Sequence, residues 1–113
     1  MAKKNPLLTA PPYAVEQTLK RLGANLRTAR LRRNLTMQEV AEKIGTGPRV
    51  VSDAEKGKPS TSVAVYMALL WAFDLLCLME DALDPAQDKE GQALALSRDR
   101  SRARRSGEID NDF

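Results

Sequence analysis

The chain has 113 residues, 42% of them apolar, which is room for one modest domain and its tails. It has no histidine and one cysteine, so it lacks the commonest general base and metal ligand and can form neither an internal disulfide nor a zinc cluster. The net charge of +3 is uneven: residues 1–58 hold twelve Lys/Arg against five Asp/Glu, residues 59–97 one against six, and residues 98–113 five against four. A basic first half suits a surface that faces phosphates, and the acidic middle suits one that faces protein.

Residues 1–12 read as a loose arm, with Lys3 and Lys4 early and Pro6, Pro11 and Pro12 interrupting regular structure. Met1–Leu8 lacks the long apolar stretch of a signal peptide, and the single cysteine fits a reducing compartment, so a cytoplasmic setting is expected. From Tyr13 the pattern turns helical. Val15, Leu19, Leu22, Leu26 and Ala29 recur at three- and four-residue spacing and are expected to face inward, while Lys20, Arg27, Arg32 and Arg33 lie elsewhere on the cylinder. Gly23 weakens this helix without ending it, and Asn34, which tolerates the left-handed conformation, is expected to stop it.

Thr36-Met37-Gln38-Glu39 has the form of a capping box. The Thr36 hydroxyl can accept from the Glu39 amide, and the Glu39 carboxylate from the Thr36 amide. Leu35 stands where it can staple onto Val40. The spacing predicts a helix to Ile44 that stops at Gly45, then a second one opened by Pro48 at its first position, holding Val50, Val51 and Ala54 inward and ending near Gly57. Two short helices joined through so tight a glycine-containing turn form a helix-turn-helix.

Ser60, Thr61 and Ser62 supply caps for a fourth helix through Phe73, and Asp74 marks a break before a fifth over residues 75–83. The apolar run from Val63 to Met79 contains Tyr66 and Asp74, and reads as core helix rather than membrane span. Cys77, within it, is expected to pack as a small hydrophobe. Asp84-Pro85 ends the fifth helix, and Asp88 caps a short last one to about Leu96. Residues 98–113, with five arginines and only Ile109 and Phe113 apolar, are expected to be disordered alone. The expected fold is thus all-α: a five-helix domain with a short extra C-terminal helix, together residues 13–97, between flexible tails.

The apolar residues from Val63 to Met79 are too many for one face of a small bundle, and an excess of this kind suggests a dimer interface. Trp71, Leu75, Leu78 and Met79 are the candidates, the alternative being that all pack internally with Trp71 half covered. The arginine run 98–105 either follows DNA phosphates, folds on a partner or stays solvated. The acidic end, Glu108, Asp110 and Asp112 with Phe113, is a candidate docking peptide for a basic partner. With no glycine-rich phosphate loop either, no catalytic constellation can be assembled, and neither enzyme activity nor a cofactor or metal is expected.

Three runs together carry a resemblance. Leu22-Gly23-x-x-Leu26-Arg27-x-x-Arg30, then Leu35-Thr36-x-x-Glu39-Val40-Ala41, then Val51-Ser52-x-x-Glu55-Lys56-Gly57 resemble the phage-repressor-like (XRE/Cro) helix-turn-helix family over about residues 19–83. The stretch GKPSTSVAVYMALLWAFDLL with the later DPAQDKEGQAL is similar to one subgroup, the HipB-type regulators encoded beside HipA-like kinase toxins. The resemblance implies a sequence-specific, dimeric autorepressor that binds a palindromic operator and acts as an antitoxin. A plain repressor without a toxin, or a module that restrains a kinase and binds DNA weakly, are the alternatives.

In such repressors the first residues of the second motif helix read base edges in the major groove, which here are Pro48, Arg49, Ser52 and Asp53. The resemblance makes Arg49 the candidate for forking onto guanine N7 and O6, or for a phosphate contact, and Ser52 a candidate for base or phosphate. Asp53 either accepts from cytosine, repels, or pairs within the chain. The family usually opens the first motif helix with a phosphate-binding Gln; here Met37 stands there and Gln38 follows, about 100° further round the helix. The helix-start amides with the Thr36 hydroxyl can still hold a phosphate. Lys56, at the family's common Asn position, and Lys58 add charge from the next loop or are simply solvated. Arg30 and Glu55 match a pair that the family uses as a semi-buried structural ion pair.

Overall fold

The local chemistry of the middle segment sets its boundaries. In the computed structural model, which describes residues 5–111 and side chains to residue 107, the helices are α1 (Pro6–Thr9), α2 (Tyr13–Arg32), α3 (Met37–Ile44), α4 (Pro48–Glu55), α5 (Val63–Ala72), α6 (Leu76–Ala82) and α7 (Lys89–Asn111), with a 3₁₀ turn at Pro85–Gln87. No strand occurs among the described residues. Lys3, Lys4, Asp112 and Phe113, and the side chains of Glu108 and Asp110, lie outside what is described.

Asn34 (φ 53°) turns the chain out of α2 and Asp74 (φ 59°) out of α5, both in the left-handed region that Asn and Asp tolerate better than other side chains. The Thr36 hydroxyl accepts from the Glu39 amide at 3.0 Å, and a Glu39 carboxylate oxygen accepts from the Thr36 amide at 3.0 Å. Gly45 closes α3 at φ 84°. Gly47 caps α4 with Pro48 at its first position, and the Ser62 hydroxyl caps α5.

The described residues divide into two compact units between Leu76 and Cys77. In the first, α2 packs on α4, α3 on α4 and α5, and α4 on α5. Their core is Leu26, Ala29, Val40, Ala41, Val51, Ala54, Tyr66, Leu69, Leu70, Ala72 and Phe73. Phe73, Leu69, Val40 and Val51 are the largest fully buried side chains, each contributing about 1.5–3 kcal/mol by leaving water. In the second unit Asp84 caps the 3₁₀ turn, and the Asp88 carboxylate accepts from the Gly91 amide at 2.9 Å at the start of α7.

Several expectations need correcting. Val15 is exposed and Val50 only half-buried, because the inward faces of α2 and α4 are narrower than periodicity suggests. Cys77 is exposed rather than packed. Besides the five helices expected over residues 13–83, a one-turn helix capped by Asn5 lies in the arm. The last helix is not short: it continues from Lys89 to Asn111 with Leu94 and Leu96 exposed, where residues 98–113 were expected to lack structure. Neither Gly nor Pro interrupts that run between Gln92 and Ser106, and arginine and alanine are good helix formers.

Candidate nucleic-acid interface

Helix α4 has two faces. Val51 and Ala54 are fully buried, whereas Pro48 and Arg49 are exposed and Ser52 and Asp53 half-buried. Arg49, Ser52 and Asp53 are spaced i, i+3, i+4 and therefore share the outward face. Neither Arg49 nor Lys56 has an ion-pair partner among the described residues. Lys58 does: its ammonium lies 2.9 Å from the Asp53 carboxylate. The hydrogen bond from Lys58 holds the Asp53 carboxyl below its ordinary range; partial desolvation opposes this, and the charges of Lys58, Arg49 and Lys56 reinforce it. Three cations thus converge on the outward face of α4 around one carboxylate that is ionised at neutral pH.

At the start of α3, Thr36 and Gln38 are exposed and Met37 is half-buried. The Thr36 hydroxyl oxygen accepts within the capping box, which leaves its proton free to donate outward. The Gln38 amide donates to the Glu42 carboxylate at 2.9 Å, so one of its two N–H groups is already used. Beside α4 a groove of about 360 Å³ is lined by Thr46, Val50, Asp53, Ser60, Thr61, Ser62 and Val65. Its polar lining is mostly hydroxyl, from Thr46, Ser60, Thr61 and Ser62, beside the Asp53 carboxylate.

Beneath this face α4 is tied to α2. Arg30 donates from Nε to Glu55 Oε2 at 2.7 Å and from a terminal nitrogen to Oε1 at 3.1 Å, and its other terminal nitrogen donates to the Leu35 carbonyl at 2.8 Å. Both side chains are almost wholly buried, at 8% and 5% exposure. The bidentate geometry satisfies the guanidinium fork, and the hydrogen bond to Glu55 raises the Arg30 pKa further, against desolvation.

Three positions that orient the site are not legible as such in the sequence. A Cβ at Gly23 would lie 2.5 Å from the Glu55 carbonyl oxygen and 2.6 Å from that of Ala54, so only glycine lets α2 approach the end of α4 this closely. Arg33 donates to the Phe73 carbonyl at 2.8 Å and sits 5.3 Å over its ring. Lys43 donates to the Ala72 carbonyl at 3.2 Å and lies 5.7 Å from the Trp71 ring. Two cations from α2 and α3 therefore meet the carbonyl end of α5, where the helix dipole favours positive charge.

Of the four residues nominated for a dimer interface, Trp71 is 54% and Leu78 61% exposed, while Leu75 and Met79 are half-buried. No group of three His, Cys, Asp or Glu side chains is placed to hold a metal among the described residues. No helix among them is long and apolar enough to cross a membrane.

No curated protein and no solved structure matches the chain at a significant level. Residues 26–75, from the last turns of α2 to just past α5, match the family model described as helix-turn-helix.

Proposed function

We propose that the chain is a DNA-binding transcriptional regulator of the phage-repressor-like kind, with α4 as its recognition helix. The observation that carries this reading is the outward face of α4, where Arg49 stands exposed and unpaired in the first turn, Lys56 adds charge at the helix end, and Lys58 is paired with Asp53. Arg49 reads a guanine edge. Ser52, with the α3 start at Thr36, Met37 and Gln38, positions the helix on phosphates; Pro48 sets the angle of entry. Asp53 disfavours bases that cannot donate to it. The protein acts without catalysis, cofactor or metal.

The finer reading is a cytoplasmic, nucleoid-associated homodimer that represses its own operon at a palindromic site and restrains a HipA-like kinase. A two-fold dimer would place two copies of α4 about one DNA turn apart, and the exposed Trp71 and Leu78 are the candidate contacts. Binding of the purified protein to the duplex upstream of its own gene tests the reading. Preference for that duplex over a scrambled one is expected, whereas equal weak binding to both would overturn it. Capture of the neighbouring gene product by the tagged chain separates antitoxin from plain repressor.

A further inference from the structure

The second unit ends in a helix whose charge the reading above does not use. In α7, Arg98, Arg100, Arg102, Arg104 and Arg105 are all exposed, and none has an ion-pair partner among the described residues. At 100° per residue, Arg98, Arg102 and Arg105 fall within an arc of about 60°, while Arg100 and Arg104 lie on the far side. The three on one face are separated along the axis by about 6 Å and 4.5 Å. Duplex DNA presents a phosphate about every 3.4 Å of axis on each strand, so each of the three can face a different phosphate.

The stripe also repels itself. Arg98 and Arg102, and Arg102 and Arg105, are i, i+4 and i, i+3 neighbours of like charge, a placement that destabilises a free helix. Asp99 is the only acid between Lys89 and Glu108 apart from Glu90; as the i, i+3 neighbour of Arg102, about 60° round the helix, it offsets only part of this repulsion. A polyanion relieves the repulsion and releases its own counterions in the process.

We propose that the Arg98–Arg102–Arg105 face of α7 is a second, sequence-independent contact to the DNA phosphate backbone, separate from the base-reading face of α4. It rests on the DNA-binding reading for its setting but makes its own prediction. Arginine supplies the fork that suits phosphate, and nothing on this face can read a base.

The experiment is a salt titration of full-length protein binding to the upstream duplex and to a random duplex. Variants are R98Q/R102Q/R105Q, with R100Q/R104Q as the off-stripe control; glutamine keeps helix propensity close to that of arginine. The triple variant should flatten the log K against log salt slope by about 2–3 on both duplexes, at ~0.9 per lost contact, and leave the preference between them intact. The double variant should change the slope by less than one. Equal loss per charge in both variants would overturn the stripe, leaving only diffuse attraction. An unchanged slope in the triple variant would also overturn it and point to an acidic protein as the occupant. If wild type prefers neither duplex, the repressor reading fails, while a flatter slope in the triple variant alone still upholds this contact.

Discussion

Asp53 is the residue at which the local charge pattern matters most for what the protein does. Its carboxylate sits on the proposed recognition face yet is answered by Lys58 at 2.9 Å, so each masks the other. Asp53→Asn removes a charge that repels phosphate and releases Lys58. Affinity for a random duplex should rise and the salt slope should steepen by about 0.9, one phosphate contact, measured by anisotropy. An unchanged slope would show that Lys58 stays off the backbone even when free. The Arg30–Glu55 pair has the opposite character, because its members are buried and face inward. Glu55→Ala leaves the guanidinium stranded and should cost about 3–5 kcal/mol in urea unfolding, whereas Arg30→Met with Glu55→Leu together should cost markedly less. What the double variant should lose is the fixed angle between α2 and α4, and with it discrimination between duplexes.

At the scale of elements, the boundaries of α3 and α4 were readable because each carries its own punctuation: Thr36 with Glu39, Gly45, and Pro48 at the first position of α4. Thr36→Ala should cost about 1 kcal/mol and also weaken DNA binding, since the same hydroxyl is offered outward. The reach of α7 was not readable, because arginine-rich composition signals solvation and disorder while its residues individually favour helix. Nor could the sequence show why α2 contains Gly23, whose reason is a carbonyl thirty-two positions away on α4. Gly23→Ala must push the two helices apart, at a cost of about 1–3 kcal/mol or more, read as a lower urea midpoint with the m-value unchanged. Tertiary contacts of this kind, like those of Arg33 and Lys43 with the end of α5, leave no local trace. The outward face of α4 was legible through the resemblance, which nominated Arg49, Ser52 and Asp53, and the i, i+3, i+4 spacing agrees in placing the three together.

At the scale of the whole molecule, the charge asymmetry along the chain divides into tasks. The first unit holds the helix-turn-helix and most of the basic surface; the acidic stretch 74–90 and the arginine face of α7 lie almost wholly in the second. Trp71 is the only tryptophan and is 54% exposed, so self-association that covers it is directly visible. If the chain dimerises through this surface, sedimentation should give twice the 12.5 kDa chain mass at micromolar concentration, with Trp emission moving to the blue as the species forms. A species of 12.5 kDa throughout would place dimerisation, and the palindrome it implies, in error.

The central claim is that base reading resides on α4, and the most direct test is the ratio of affinities for the upstream and scrambled duplexes, in wild type and in Arg49→Ala, at one fixed salt. The account predicts that Arg49→Ala lowers affinity for the upstream duplex by about 1–3 kcal/mol for each copy that engages DNA and lowers affinity for the scrambled duplex far less, collapsing the ratio. Equal losses on the two duplexes would make Arg49 a phosphate contact, and an unchanged ratio would contradict the assignment of α4 as the helix that reads sequence.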